Sequence, residues 1–295
     1  MTTPDLTAQD RTAQDRTAQD RTARDRTALV TGAGTGIGAA VARRLVRDGV
    51  RVALVGRRPE PLAELAAELN HGGATVALPL PADAASDTEM RAVVAATVAR
   101  FGGLDVLVAN AGGEGSGGVV QASDEDWTAS LRANLLTAVV SARVALPQLI
   151  ARRGNVVLVS SIAGLAAPPQ LAPYTTAKHA LIGLMRSIAR DHGPDGVRAN
   201  AVCPGWVVTP MADAEMDALA DLHDLRDPQG RPDRMAAYAL ASRDVPLRRP
   251  ATADEVAAAV AFVAGPEASA ISGVVLPVDG AAGAVDLPTL AFDPH

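Results

Sequence analysis

The chain has 295 residues, of which 48% are hydrophobic and 20% are charged, and this content fits one large domain with a substantial core. A net charge of -6 and scattered arginine pairs argue against nucleic acid or anionic membranes as partners. The single cysteine, Cys203, excludes an internal disulfide, and we expect no apolar stretch long enough to span a bilayer. The sequence therefore predicts a cytoplasmic protein that meets small molecules or further copies of itself.

The first 25 residues are dominated by a five-residue repeat. The unit Thr7-Ala-Gln-Asp-Arg11 recurs at 12–16 and 17–21, and again at 22–26 with Arg24 replacing glutamine. A period of five matches neither a strand nor a helix and leaves no apolar stripe, so we expect residues 1–25 to be a disordered tail. A leader without function is favoured over a docking segment. Residues 26–295 are expected to form one domain.

From residue 27 onward, short apolar runs rich in valine and leucine alternate with longer segments of helical period. The predicted strands are 28–31, 50–55, 74–78, 104–109, 155–160, 198–202 and 274–278. The predicted helices are 36–47, 59–70, 86–100, 123–151, 174–192 and 252–264. Apolar strands separated by helices predict an α/β fold, a doubly wound and mostly parallel seven-stranded sheet of the Rossmann type with helices on both faces. Such sheets bind ligands beyond the carboxyl ends of their strands.

A glycine-rich turn, Thr31-Gly-Ala-Gly-Thr-Gly-Ile-Gly38, lies between the first predicted strand and the first predicted helix. Glycines let the backbone approach a pyrophosphate, and the following helix offers unpaired N–H groups at its start. A tight connection without a ligand is the alternative reading. The nucleotide interpretation is favoured, with candidate contacts at Gly32, Thr35, Gly36, Ile37 and Gly38.

The end of the second strand bears on which nicotinamide cofactor is used. It reads Leu54-Val-Gly-Arg-Arg58, with no acid at Gly56, where a carboxylate would bind the ribose 2′-hydroxyl of NAD. A guanidinium at Arg57 or Arg58 suits a 2′-phosphate, so NADP is favoured and NAD remains possible. Ordinary surface charge is the alternative explanation for both arginines.

Three further motifs follow at strand ends and on a helix. They are Ala109-Asn-Ala-Gly112, Ser160-Ser-Ile-Ala-Gly164 and Tyr174-x-x-x-Lys178. Tyr174 and Lys178 are four apart and share one helix face, where a nearby cation favours the phenolate and brings the pKa of the phenol toward neutrality. Such a pair can protonate an alkoxide or deprotonate the corresponding alcohol.

Together with the glycine turn and Pro204-Gly205, these motifs resemble the short-chain dehydrogenase/reductase family in its single-domain form, over about residues 27 to 285. The resemblance implies that Tyr174 is the general acid or base and that Lys178 lowers its pKa and holds the nicotinamide ribose. Ser161, and not Ser160, would orient the substrate oxygen. Asn134 would anchor a water that links the lysine to solvent.

The same resemblance implies further cofactor contacts. Asp83 and Ala84 match the adenine position, and Asn110, Ala111 and Gly112 would lie along the ribose toward the nicotinamide. The nicotinamide end would be bordered by Pro204, Gly205, Val207 and Thr209. For Asp83 a turn or helix-capping role stays open. For Asn110 a tie between neighbouring strands stays open.

The remaining segments bear on the substrate. A polar segment at about 210–246, including 212–222 and 233–242, is expected to be the substrate lid, and the glycine-rich loop 112–118 could form the opposite wall. Trp206 is either pocket wall or core filler. The five histidines show no metal-ligand spacing, so no metal is implied.

The leading function is an NADP-dependent oxidoreductase that interconverts a ketone and a secondary alcohol on a small molecule. The alternatives are a 3-oxoacyl-(carrier protein) reductase, which should need a basic landing patch near the cleft, and a nucleotide-sensing protein without chemistry. Arg152 and Arg153 close one helix suitably for such a patch, but carboxylates follow the next helix. By resemblance we expect a homo-oligomer, a dimer or tetramer built on the long helices.

Overall fold

The computed structural model describes residues 26–113, 115–286 and 288, so the predicted disordered tail lies outside the described residues. The strands are β1 (Thr27–Thr31), β2 (Arg51–Gly56), β3 (Ala77–Pro81), β4 (Val106–Ala109), β5 (Asn155–Val159), β6 (Arg198–Pro204), β7 (Val207–Val208), β8 (Ala251–Thr252) and β9 (Val275–Val278). The helices are α1 (Gly36–Arg47), α2 (Pro59–Leu69), α3 (Asp87–Phe101), α4 (Asp124–Leu131), α5 (Thr137–Arg152), α6 (Ala172–His192), α7 (Pro210–Leu222), α8 (Arg234–Ala241) and α9 (Ala253–Ala264).

Seven parallel strands form the central sheet in the order β3-β2-β1-β4-β5-β6-β9. Alternate residues of each strand enter two separate hydrophobic clusters, one on each face, as Val30 and Leu29 of β1 do. Helices α1, α2 and α9 cover one face, and α3, α5 and α6 cover the other. The predicted doubly wound fold is confirmed. The strand order reverses between β1 and β4, which opens a crevice at the carboxyl edge.

The third strand begins three residues later than predicted, at Ala77 and not at residue 74. The Asn70 side chain binds the backbone N–H groups of Val76 and Ala77 at 2.8 and 2.9 Å, which holds the preceding residues in a turn. Two prolines, Pro79 and Pro81, are tolerated in β3 because it is an edge strand and needs only one hydrogen-bonded neighbour.

The long helix predicted at 123–151 is present but contains one π-helical turn, Arg132–Leu136, between α4 and α5. The segment Asp124–Arg152 is long and apolar enough to cross a membrane. Half of its most apolar stretch of 18 residues is buried in the fold. The expectation that no stretch reaches such a length was therefore wrong. The burial agrees with a core helix that packs on the sheet.

The polar segment after residue 209 forms two helices, α7 and α8, with a small hydrophobic cluster of their own. Its buried members are Ala212, Met216, Ala220, Ala237 and Tyr238. Arg234 of α8 bonds Asp217 of α7 through two nitrogens, at 2.9 and 2.6 Å. The helices therefore form a hairpin, here called the α7–α8 hairpin. Apolar residues lie between its two helices, and charged residues lie on its outer side.

Candidate active site

The glycine turn joins β1 to α1 at the crevice. Thr35 is the N-cap of α1, yet among the described residues its side chain makes no capping hydrogen bond, and the first turn of the helix carries no acid. Gly36 has φ +54, a conformation that favours glycine. A Cβ at Gly38 would clash with the carbonyl of Gly32. The turn thus combines a close backbone approach with unpaired helix N–H groups, which fits a pyrophosphate.

The next wall of the crevice is the carboxyl edge of β2 and β3. Arg57 and Arg58 follow β2 and are both exposed. Asp83 accepts hydrogen bonds from Ala85 N at 2.9 Å and from Arg132 at 2.6 Å. Burial acts to raise the pKa of Asp83, but these bonds and the charges of Arg132 and Arg57 hold it below its ordinary value. Asp83 therefore makes a turn contact, as the alternative role for it required. The positive charge of Arg57 is close enough to lower its pKa.

Asn110 ties β4 to the glycine turn. Its side-chain nitrogen donates to the carbonyls of Thr31 and Gly32 at 3.0 and 3.3 Å. The backbone N–H groups of Asn110 and Ala111 both donate to the Thr31 hydroxyl at 3.0 Å. The strand-tying role is therefore present, and it fixes the backbone of Ala111 beside the crevice.

The two serines after β5 have different surroundings. The Ser160 hydroxyl is buried and donates to the carbonyl of Lys178 at 2.9 Å. Ser161 accepts from Ala163 N at 3.1 Å, and its side chain lies close enough to Tyr174 to act on the pKa of the phenol. The geometry thus assigns Ser160 to packing between β5 and α6, and it places Ser161 against the tyrosine.

Tyr174 and Lys178 lie on one face of α6, with the ammonium 5.4 Å from the ring centroid. Lys178 is buried and donates to the carbonyl of Val159 at 3.3 Å. Burial lowers the pKa of Lys178 to about 8. Burial also raises the pKa of Tyr174, with the Ser161 bond acting to lower it and Glu215 acting to raise it. The expected lowering of the pKa of Tyr174 is therefore wrong for this structure, because loss of hydration outweighs the other effects.

Asn134 lies in the π-helical turn and is fully buried. Its nitrogen donates to Ser130 O at 3.1 Å, and its oxygen accepts from Gly113 N at 3.1 Å. A Cβ on Gly112 would lie 3.0 Å from Asn134 Oδ1 and 3.5 Å from Lys178 Nζ. The asparagine and the lysine thus face the same glycine, and π turns of this kind often mark functional sites.

The segment after β6 closes the far side of the crevice. Thr209 is the N-cap of α7 and accepts from Ala212 N, and a Cβ on Gly36 would lie 3.3 Å from its methyl group. Pro204 ends β6, and Gly205 lies close to Asp279. The Val207 side chain packs in the hydrophobic core, and its place at the border of the nicotinamide stays a prediction. The side chain of Ala84 is likewise buried.

Two further groups lie near the site. Cys203, the single cysteine at the end of β6, is buried beside Ser160, Ser161 and Lys178, and burial raises the pKa of its thiol. Glu215 of the α7–α8 hairpin acts electrostatically on Tyr174. The sequence did not reveal Glu215, because its effect on Tyr174 depends on how distant elements pack.

The glycine-rich loop at 112–118, considered as the wall opposite the lid, is tied to the segment before α6 where it is described. Gly117 N donates to Gln170 O at 2.8 Å, and Ala172 N donates to Gly117 O at 3.0 Å. A Cβ on Gly115 would lie 3.5 Å from Tyr174 Cβ. The loop therefore does form a wall beside the tyrosine, and its backbone is fixed by hydrogen bonds.

The arginine pair considered as a carrier-protein patch lies elsewhere. Arg152 and Arg153 end α5 just before β5 begins, so they lie at the amino edge of the sheet. The crevice lies at the carboxyl edge. These two arginines therefore provide no basic patch near the candidate active site.

Comparison with known proteins identifies the class of this fold and site. The model of the short chain dehydrogenase family matches residues 26–220. The parallel seven-stranded sheet and this family match together define the protein as an NAD(P)-dependent oxidoreductase that acts on alcohol and ketone groups. The chain belongs to the short-chain dehydrogenase/reductase family.

Several proteins are similar over nearly their whole length. Protein MoaE of Klebsiella aerogenes is 47% identical, with 90% of this chain and 98% of the relative covered. The 2-(R)-hydroxypropyl-CoM dehydrogenase of Xanthobacter autotrophicus is 36% identical, with 86% and 97% covered. A crystal structure of actinorhodin polyketide ketoreductase with NADPH has a TM-score of 0.81 and 34% identity, with 89% and 99% covered.

Proposed function

We propose that this protein is an NADP-dependent oxidoreductase that interconverts a ketone and a secondary alcohol on a free small molecule. The observation that carries the proposal is the position of Ser161 beside Tyr174 at the carboxyl edge, close enough to act on the pKa of the phenol, with buried Lys178 one helical turn away. A phenol and a hydroxyl that point at one oxygen suit a carbonyl that becomes an alkoxide.

In this mechanism the bound nicotinamide supplies the hydride for reduction and accepts it for oxidation. The Tyr174 hydroxyl gives its proton to the oxygen of the developing alkoxide, and Ser161 orients that oxygen by a hydrogen bond. Lys178 stabilises the tyrosinate and holds the ribose hydroxyls. Asn134 keeps the lysine in contact with solvent, so the proton can be replaced after each turnover.

The preference for NADP follows from the charge after β2. The exposed guanidinia of Arg57 and Arg58 directly follow β2 and would suit a 2′-phosphate, and no carboxylate stands at Gly56. The similarity to a ketoreductase crystallised with NADPH supports the same choice.

Arg57→Glu should reverse this preference. The new carboxylate repels a 2′-phosphate and can accept a bond from a ribose hydroxyl. We expect kcat/KM for NADPH to fall roughly 10- to 100-fold, in line with the loss of a charge-assisted hydrogen bond, while kcat/KM for NADH rises. Arg47→Glu, at the exposed far end of α1, is the control with the same change of charge. Equal losses with both cofactors in Arg57→Glu would contradict the assignment.

A free substrate is favoured over a carrier-bound chain by the charges around the crevice. Arg132 pairs with Asp83, and Arg143 pairs with Asp87, so these cations are already engaged with carboxylates. The other pair, Arg152 and Arg153, lies at the opposite edge. An acidic carrier protein would find little complementary charge in this arrangement.

The α7–α8 hairpin is proposed to be the substrate lid within the range 210–246. Its first helix begins beside the glycine turn, and Glu215 acts on Tyr174, so this helix reaches over the proposed acid. The hairpin is held mainly by its own small cluster and by Arg234, which suits an element that opens and closes.

Arg234→Leu should loosen this hairpin and change substrate selection. Removing the pairs with Asp213 and Asp217 leaves the two helices joined by apolar contacts and by the hydrogen bond from Tyr238 to Asp213. We expect KM for the carbonyl substrate to rise at least threefold, or about 0.7 kcal/mol, with cofactor affinity unchanged. Arg231→Leu removes an exposed pair with Asp227 in the connecting loop and serves as the control. An unchanged KM and an unchanged order of substrates would refute the lid.

A homo-oligomer, dimer or tetramer, is proposed from the surface between α5 and α6. Apolar side chains line an open groove there, among them Val139, Leu146, Ile150, Leu184 and Ile188. Light scattering should give a mass that is a multiple of 30.1 kDa, and Leu146→Arg should give smaller species because it buries a charge. Leu222→Arg, at an exposed position on α7, is the control. A monomer of the unaltered chain would contradict this proposal.

A further inference from the structure

The chain leaves β2 and β3 side by side at the carboxyl edge of the sheet. Gly56 of β2 is paired with Pro81 of β3, and the N–H of Ala82 donates to Gly56 O at 2.9 Å. Neighbouring strands lie about 4.8 Å apart. Arg57 directly follows Gly56, and Asp83 directly follows Ala82. An arginine and an aspartate therefore lie beside each other at this edge.

The glycine turn also lies against the end of β2. Ala33 N donates to Val55 O at 3.0 Å, and a Cβ on Gly34 would lie 3.1 Å from Pro61 Cβ in the first turn of α2. A pyrophosphate at this turn would bring the attached ribose toward the end of β2, where dinucleotide folds carry the group that binds its 2′ position. A 2′-phosphate at that point would meet the charges that follow β2 and β3.

Arg132 reaches this edge from a distant part of the chain. It lies in the π-helical turn, and its guanidinium pairs with Asp83 Oδ2 at 2.6 Å across 49 positions of sequence. Both side chains are partly exposed, so the pair adds little to the stability of the fold. Its main effect is local, because it occupies a carboxylate on which the charge of Arg57 also acts.

The pairing of Asp83 bears on the neighbouring arginine. Arg57 is exposed and forms no ion pair within the part of the chain that the structure describes. Without Arg132, the Asp83 carboxylate would have Arg57 as its nearest cation and would compete with any phosphate for that guanidinium. Arg132 thus leaves the Arg57 side chain available to a ligand.

A second carboxylate makes this neutralisation more important. Glu89, exposed in the first turn of α3, accepts the N–H of Asp83 through Oε2 at 2.8 Å. Loss of Arg132 would leave two carboxylates beside the end of β2. A phosphate monoester carries about two negative charges near pH 7, so both carboxylates would repel it.

We propose that Arg132 is a further determinant of cofactor choice, which favours NADP because it neutralises Asp83 beside the position of the 2′-phosphate. Arg132 acts through Asp83 and not by contact with the cofactor. This role rests on the proposed function, since it requires that Arg57 meets the 2′-phosphate. NAD carries no charge at that position, so its affinity should be almost independent of Arg132.

Fluorescence titration of the full chain with NADPH and with NADH, without substrate, tests this role. Arg132→Met removes the charge and keeps an unbranched side chain that suits a helix. We expect its dissociation constant for NADPH to rise about threefold to tenfold, the range for one partly exposed charge at close distance, and that for NADH to change less than about twofold. Arg132→Lys keeps the charge and should restore the ratio of the two constants. High salt should reduce the effect.

Variants of Asp83 separate this role from support of the adenine. A contact between Asp83 and adenine would be common to both cofactors, so its loss would leave the ratio unchanged. Asp83→Asn keeps an oxygen for Ala85 N but removes the charge, and it should shift the ratio further toward NADPH. In that background Arg132→Met should change the ratio by less than about twofold, because no carboxylate is left to neutralise.

Arg143→Met is the matched control, because Arg143 is also exposed and pairs with Asp87 of α3 at 2.8 Å. Its ratio should equal that of the unaltered chain, and all variants should unfold at nearly the same temperature. If the unaltered chain prefers NADPH but Arg132→Met keeps that ratio, or Arg143→Met lowers it equally, the role of Arg132 is overturned and the proposed function stands. Tighter binding of NADH by the unaltered chain would overturn both.

Discussion

Tyr174→Phe is expected to lower kcat by about 10²–10⁴-fold in both directions, the usual loss when a general acid or base is removed. The ring stays, so packing on α6 is kept, but the hydroxyl that lies beside Ser161 and its transferable proton are lost. Cofactor affinity, measured by fluorescence titration, should change little. The experiment is steady-state kinetics with a carbonyl substrate and its alcohol.

The second tyrosine of the chain provides the matched control. Tyr238 donates its hydroxyl to Asp213 within the α7–α8 hairpin at 3.0 Å, and Tyr238→Phe removes one ordinary hydrogen bond. A loss of about 1 kcal/mol would change the rate by less than tenfold. If Tyr174→Phe fell in that same small range, proton transfer by Tyr174 would be refuted.

Lys178→Met should abolish activity and stabilise the fold at the same time. The ammonium is buried and donates to Val159 O at 3.3 Å, so much of its hydration is lost on folding. An apolar side chain of similar length avoids that cost. At pH 7 and without cofactor, we expect the free energy of unfolding to rise by about 1–3 kcal/mol in a urea titration at fixed protein concentration.

The stabilisation should depend on pH. Burial lowers the pKa of Lys178 from its ordinary value of 10.5 to about 8, so between these values the unfolded chain binds more protons than the folded one. The unaltered protein therefore gains stability as pH rises through that window, and Lys178→Met does not. The gap should be largest below pH 8 and should shrink toward pH 10.5. A variant that is less stable than the unaltered chain at pH 7 would contradict this explanation.

The strand-end motifs were predictable because each depends on short-range chemistry. The glycine turn, the serine pair and the Tyr174-x-x-x-Lys178 spacing all follow from local sequence, and the parallel sheet then brings them to one edge. The start of β3 was misplaced because the Asn70 side chain, and not strand propensity, decides where pairing begins.

Features that depend on distant packing were beyond the sequence. The π turn at Asn134 changes no hydrophobic period, so the segment looked like one regular helix. The electrostatics of Tyr174 depend on burial and on Glu215, which the α7–α8 hairpin supplies.

The most direct test of the proposed function is a screen of ketones and secondary alcohols with NADPH, NADP⁺, NADH and NAD⁺, followed at the nicotinamide absorbance. The proposed function predicts a ketone that oxidises NADPH, with kcat/KM at least tenfold higher than for NADH, and loss of that activity in Tyr174→Phe. Turnover that persists in Tyr174→Phe, or a clear preference for NADH, would contradict it.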